Sequence, residues 1–461
     1  MQILQQKLFK QKGITMRNMT SGSIYRHLLA YAIPLIFGNF LQLTYNAVDS
    51  IIVSKGAGVA ALSAVSVSNP VSVLLIQSIS GLGIGASVYM SKYYGAGEQE
   101  KLKRALSSTI LFGTFAGLIV TLLGILLASP ILLSMNTPAD ILHDSLVYLR
   151  LLFIGNFFTF QYNIMSSALR AVGDSKTPVT FVGISSILNA CLDWIFIFLF
   201  HWGVFGAALA TIIAEALSAI LCYIYVYRHI PALALKRSEI VLDHALLRKI
   251  LSSGLITALQ QSCQPIGKLL VQSVINVQGI DVIAAFNAGC KIEDYGRIPA
   301  QTISHGMMTC AAQNRGAGEK KRVKETLWKG ILIGLIYYPI ICVLILLFRY
   351  PLIQLFAPTS GGEEMVRLGV TYLSVKAFTI VFPCVTNAMQ GFMRGMGNMT
   401  ITLISTILQI TIRTIFVYLL VPKIGITGEA YACAIGWTAM ILFEYSYYFL
   451  FQKKLYAAMD H

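Results

Sequence analysis

Twelve apolar stretches, each long enough to cross a bilayer, constrain what this chain can become. They fall near residues 28–54, 59–91, 105–134, 141–169, 177–200 and 205–228, then 248–277, 282–313, 327–357, 365–393, 400–421 and 428–452. A helix needs about 20 consecutive apolar residues to span the hydrocarbon, where only helices and closed barrels satisfy every backbone polar group. The runs are continuous rather than short and alternating, which sets a β-barrel aside. Only 12% of the 461 residues are charged, against about 25% in a soluble domain. The expected fold is an all-α polytopic membrane protein of twelve transmembrane helices in a lipid bilayer.

The net charge of +15 does not call for a nucleic-acid partner, because the basic residues collect in alternate loops. Lys92, Lys101, Lys103 and Arg104 follow the second span, Arg170 and Lys176 the fourth, and Arg228, Lys236 and Arg237 the sixth. Arg315, Lys320, Lys321, Arg322 and Lys324 follow the eighth. The opposite loops offer little beyond Lys55, Arg349 and Lys423, and one carries Glu363 and Glu364. By the positive-inside rule both termini and the even-numbered loops are cytoplasmic. The expected order is a cytoplasmic segment 1–27, a lobe 28–228, a linker 229–247, a lobe 248–452 and a cytoplasmic tail 453–461. Lys7, Lys10, Lys12, Arg17 and Arg26 precede the first span, but that span is too long for a signal peptide and lacks a small-residue cleavage site. The eight cysteines lie in or near apolar runs with no CxxC pair and no His/Cys metal spacing, so they read as small core residues.

The halves repeat. Gly95-Ala96-Gly97-Glu98 after the second span returns as Gly316-Ala317-Gly318-Glu319 after the eighth. Tyr148, Asn163, Met165, Arg170 and Gly173 are answered without a gap by Tyr372, Asn387, Met389, Arg394 and Gly397. Gly203-Val204-Phe205-Gly206 pairs with Gly425-Ile426-Thr427-Gly428. An even number of spans per half gives both copies the same orientation, so the pseudo-twofold axis lies along the membrane normal. Two six-helix lobes facing a central cavity suit alternating access.

Polar residues inside the spans then become informative. Asn189 and Asp193 share one face of the fifth span, and a mid-membrane carboxylate costs at least about 2.5–3.5 kcal/mol on insertion scales. The first span carries Asn39, Gln42, Asn46 and Asp49, an arc of about 80° on a helix, with Pro34 a few turns earlier as a place to kink. Thr211 and Glu215 share a face of the sixth span. Asp49, Asn189, Asp193 and Thr211 together would make an all-oxygen site for Na⁺ or, equally, for a proton held between neighbouring acids. Packing with amides as interhelical glue is the plainer reading of the stripe. In the second half Gln409 and Arg413 stand where Asn189 and Asp193 do, Cys433 where Thr211 does, and Gln272 roughly where Asp49 does. Lys268, Lys291, Glu293, Asp294 and Arg297 add charges there, and Glu293 can pair with Arg297 within its helix or face a substrate.

The motif set GxSxG, HExxH and GxxxxGK[ST] is absent, so the sequence points to no enzyme and no ATP drive. Tyr45-Asn46-Ala47-Val48-Asp49, Gly95-Ala96-Gly97 and Arg170-Ala171-Val172-Gly173-Asp174-Ser175-Lys176-Thr177-Pro178 stand in order along the chain. Leu188-Asn189 through Asp193, Gly206-Ala207-Ala208-Leu209-Ala210-Thr211 and Gln313-Asn314-Arg315-Gly316-Ala317-Gly318 complete the series. In that order the chain resembles the multidrug and toxic compound extrusion (MATE) family, in its bacterial branch named for DNA-damage-inducible protein F. The resemblance implies a secondary antiporter of the bacterial cytoplasmic membrane that exports amphipathic or cationic drugs against H⁺ or Na⁺. It needs no cofactor besides that ion and is expected to act as a monomer. It places the coupling ion at Asp49, Asn189, Asp193 and Thr211, the conformational kink at Pro34, and an acid of the eighth span at Glu293. Asn39, Gln42, Asn46, Glu215, Lys268, Gln272, Glu293 and Arg413 are the cavity and substrate candidates. The alternative within the same superfamily is a flippase or exporter of lipid-linked precursors or polysaccharide, which the cations Lys268, Lys291, Arg297 and Arg413 would suit.

Overall fold

A computed structural model of the chain describes residues 17–358, 361–457 and 459, apart from the side chains at 46, 47 and 59. Lys7, Lys10, Lys12 and the Asn46 side chain therefore lie outside the described residues. The helices are α1 (Ile24–Gly58), α2 (Ala60–Ala96), α3 (Gln99–Ser134), α4 (Ala139–Ala171), α5 (Lys176–Trp194) and α6 (Gly203–His229). There follow α7 (His244–Asn276), α8 (Ile280–Gly316), α9 (Lys320–Gln354), α10 (Glu363–Thr379), α11 (Val381–Gly395), α12 (Met399–Ile424) and α13 (Thr427–Ala457). No strand occurs among the described residues.

These thirteen helices make twelve spans, because α10 and α11 are one span bent by 41°. Pro383 explains the bend: it has no N–H for the carbonyl of Thr379 and its ring crowds that carbonyl. Between α1 and α2 the chain turns at Gly58, whose φ of 90° a side chain would resist. Among the described residues eight helices, or nine spans with the bent pair, are apolar enough to cross a membrane by length and composition alone. The other three, α7, α8 and α13, are more polar, and much of that polarity is buried. Gln260, Gln313, Asn314, Glu429 and Glu444 are each at most 3% exposed, which keeps them from lipid.

The chain divides into two compact units, one of residues 1–18 and 34–258 and the other of 19–33 and 259–461. Each half thus lends the opening stretch of its first helix to the other unit, and the 229–247 interval lies within the first unit. Pro34 is the residue at which α1 changes unit. Within the first unit α4 packs on α3 and α6, and α5 on α6; within the second, α8 packs on α9, α10 and α11, and α12 on α13.

The repeat extends to backbone conformation. Gly97 and Gly318 have φ of 75° and 74°, and Gly173 and Gly397 have 84° and 78°. Glu98 and Glu319 both donate their N–H to the carbonyl five residues back, Tyr93 and Asn314. Two differences break the match, the first being the bend between α10 and α11, which their counterpart α4 lacks. After Trp194 the fifth span winds into a π-helical turn over Ile195–Leu199, whereas α12, its counterpart, stays α-helical to Ile424.

Candidate functional site

Two glycines report how α1 and α5 lie against each other. A Cβ on Gly38 would strike Val179 and one on Gly56 would strike Ile197, and these contacts are eighteen residues apart on both helices. The helices therefore run parallel in constant register, which sets Asp49 level with Ala190, between Asn189 and Asp193. One turn along, Val53 of α1, Ile197 of α5 and Ala207 and Ala208 of α6 pack with Tyr148 of α4 in one apolar cluster. Asp49 and Asp193 each precede their helix's member of that cluster by four residues. Thr211, on a helix running the other way, follows Ala207 by four. The three polar residues form a layer stacked on the apolar one.

In that layer the Asp49 and Asp193 side chains meet, with Tyr45, Tyr148 and Glu215 around them. Asp193 is fully buried and Asn189 is 1% exposed. Neither Asp193 oxygen, and neither side-chain atom of Asn189, has a hydrogen-bond donor or acceptor partner among the described residues. A buried carboxylate without a donor, facing a second carboxylate, is repelled by it unless a proton or a cation sits between them. Thr211 donates its hydroxyl to the Ala207 carbonyl at 3.0 Å, which leaves its oxygen lone pairs free to accept. Glu215 sits one turn further on α6 and fills the space beside Gly155 of α4. Asn39 and Gln42 lie on α1 about 15 and 10 Å below Asp49 at 1.5 Å per residue, so the structure does not bring them to the acid pair. Among the described residues no group of three or more His, Cys, Asp or Glu is placed to hold a metal.

The second unit places a closed charge network at the corresponding level. Glu429, fully buried in the first turn of α13, accepts from the Tyr372 hydroxyl at 2.7 Å, Lys376 Nζ at 3.2 Å and Arg413 Nη2 at 2.5 Å. Lys376 also reaches Glu293 at 3.2 Å, and Arg297 approaches Glu293 at 3.9 Å while its guanidinium lies 5.7 Å from the centre of the Trp437 ring. Glu293 therefore pairs both within its helix and with Lys376. Lys268 forms a separate half-exposed pair with Asp294 at 3.5 Å. Gln272 donates to Asn276 at 2.8 Å and takes no part.

Sequence reasoning passes over Lys376 and Glu429, the centre of this network. The signal for Lys376 was present: a lone lysine inside an apolar span, one turn after the Tyr372 that answers Tyr148. Glu429 follows the Gly425–Gly428 turn and reads as a loop-edge charge. Nearer the opposite end of the same helices Arg394, Gln260, Gln390, Thr402 and Thr406 form a second buried network, with Glu444 accepting from Ser405 at 2.7 Å.

Comparison with known proteins agrees with this architecture. The MatE family model matches twice, over residues 34–195 and 257–419. Both matches begin within two residues of the points where the chain changes unit. The chain is 26% identical over 455 residues to the probable multidrug resistance protein YoeA of Bacillus subtilis, covering 96% of this chain and 98% of that protein. It is 25% identical to the FAD transporter of Shewanella oneidensis, covering 85% and 87%. Among solved structures it superposes on an outward-facing multidrug resistance MATE transporter with a TM-score of 0.88 at 22% identity, over 96% and 98% of the chains. A Pyrococcus furiosus transporter of the MOP superfamily, described as having a binding pocket of reverse polarity, gives 0.87 at 22% over the same shares. With the family model matched over most of its length and in both halves, the chain belongs to the MatE family of multi-pass membrane transporters and is not an enzyme.

Proposed function

We propose that this protein is a secondary active exporter of the bacterial cytoplasmic membrane, moving amphipathic drug-like solutes, organic cations among them, against H⁺ or Na⁺. The relatives' names supply the substrate class. The observation that carries the coupling is the Asp49–Asp193 pair, in which Asp193 is fully buried with no donor to either oxygen among the described residues and faces the half-buried Asp49. One carboxylate protonated lets it donate to the other; a Na⁺ ion between them would take the Asn189 and Thr211 oxygens as further ligands. In either case the loaded site has far less charge to bury than the empty one, and this difference is what an ion gradient can drive. Pro34 gives α1 a point of bending, since the Ala30 carbonyl lacks its helical N–H partner.

The test is dye efflux from proteoliposomes under an imposed pH gradient and, separately, a Na⁺ gradient. Asp193→Asn, checked for monodispersity after purification, is expected to abolish efflux under whichever gradient drives the wild type. Wild-type rates in that variant would remove the acid pair from the coupling step. The two gradients tested apart identify the ion.

A further inference from the structure

The charges in the second unit do not balance. Lys376, Arg297 and Arg413 are three cations against the two carboxylates of Glu293 and Glu429. Glu429 is saturated, with three donors on its two oxygens. Lys376 is enclosed at 2% exposure and bridges both acids. Nearby charges do not make up the deficit, because Asp294 is committed to Lys268 and Lys291 adds a further positive charge over Phe356. A buried surplus charge is costly in a membrane-spanning bundle, and replacing such networks by apolar residues is often neutral or stabilising.

The surplus also has a direction. The Arg413 and Arg297 side chains are 16% and 20% exposed, whereas Glu429 is fully buried. Glu293 is 11% exposed, so the two guanidinium groups are the more open members of the network. The Nε of each arginine has no partner among the described residues. Beside them Gln409, one turn before Arg413 on α12 and 1% exposed, has neither its amide nitrogen nor its oxygen paired. Two forked cationic donors in one network, and an unpaired amide N–H one turn from Arg413, with a net positive charge behind them, match the oxygens of a carboxylate or phosphate.

We propose that Arg413, Arg297 and Gln409 form a binding subsite for an oxyanion carried by the transported molecule, so that zwitterionic and anionic amphiphiles are substrates alongside cations. This rests on the transport reading above and narrows its substrate class. Lys376 and Glu429 hold the arginines in place rather than touching the ligand.

The experiment uses the purified full chain in neutral maltoside micelles, with fluorescence anisotropy of 5-carboxyfluorescein as the anionic probe and rhodamine 6G as the cationic one. Wild type is expected to bind carboxyfluorescein. Arg413→Gln is expected to weaken that binding at least tenfold, Arg413→Lys by less, while rhodamine 6G binds the Gln variant no more weakly. If Arg413→Gln does not purify as a monodisperse protein, Arg297→Gln, which leaves Glu293 paired with Lys376, carries the same expectation. Competition by phosphatidylglycerol would assign the oxyanion to a lipid headgroup, and its failure to compete would assign it to a soluble solute. The proposal is overturned if wild type binds rhodamine 6G but not carboxyfluorescein, or if the arginine variants lose both dyes alike. Loss of gradient-driven efflux of every dye by wild type would instead strike the transport reading.

Discussion

Glu429 shows how much one side chain can hold in place. It is fully buried and receives Tyr372, Lys376 and Arg413. Glu429→Gln leaves two cations short of a counter-charge, and breaking a buried ion pair from one side costs about 3–5 kcal/mol. A fall of several degrees in the thermal midpoint in detergent is expected, read by a thiol-independent fluorescence assay. The double variant Glu429→Gln with Arg413→Gln removes one charge of each sign and is expected to be less destabilised than Glu429→Gln alone; a simple sum of the two losses would mean that the groups do not act together. The acid pair was legible in the sequence because Asp49, Asn189, Asp193 and Thr211 interrupt apolar runs with oxygen ligands at helical spacing. The opposing network was legible only in part. Arg413 and Glu293 stand out as charges in spans, but nothing local says that Glu429, a loop-edge acid in the first turn of its helix, folds inward to meet them.

At the level of elements, the apolar runs located the helices to within a few residues at most ends, although α7, α8 and α13 carry buried polar residues that keep them from standing out by hydropathy. It could not foresee the π-helical turn at Ile195–Leu199, where five apolar residues carry no mark of altered hydrogen bonding. That turn begins two residues beyond Asp193 and has no counterpart in α12, so this departure from the repeat in backbone coincides with a departure in chemistry. The polar interval between the halves is pinned in a way its composition did not reveal. Lys103 of α3 donates to both Glu239 oxygens at 2.8 Å, and Ser107 and Ser108 bond the backbone at Val241 and Asp243. The Lys103 ammonium and the Lys236 N–H hold the Glu239 carboxyl below the usual carboxylate range. A depressed folded value means that the clip is in force above the ordinary carboxylate range and is lost as the pH falls through the lowered one. A nitroxide at Ile240→Cys is therefore expected to gain mobility only at acid pH in the wild-type background, and to be mobile already at neutral pH with Glu239→Gln. Identical spectra in the two backgrounds would show that the serines alone fix the segment.

Across the whole molecule, duplication has kept the turns and released the interior. Gly97 with Gly318 and Gly173 with Gly397 preserve their left-handed conformations while Asp193 gives way to Arg413 and Thr211 to Cys433. The turns are conserved between the halves because each must reverse the chain within two or three residues, whereas a helix interior accepts any side chain its neighbours can satisfy. The same turns carry basic residues expected to set orientation, with Lys101 and Lys103 after one and Arg322 and Lys324 after its copy. Two spans separate successive even-numbered loops, so all of them must emerge on one side, and the charge bias makes the cytoplasm the expected side. The loop before α10, with Glu363 and Glu364, belongs to the opposite side. In a variant with its eight cysteines replaced, Glu363→Cys is expected to react with a membrane-impermeant maleimide on intact cells, and Lys321→Cys only after permeabilisation. The reverse pattern would invert the whole chain in the membrane. Both sites reacting from outside would mean that α9, the one helix between them, does not cross the membrane.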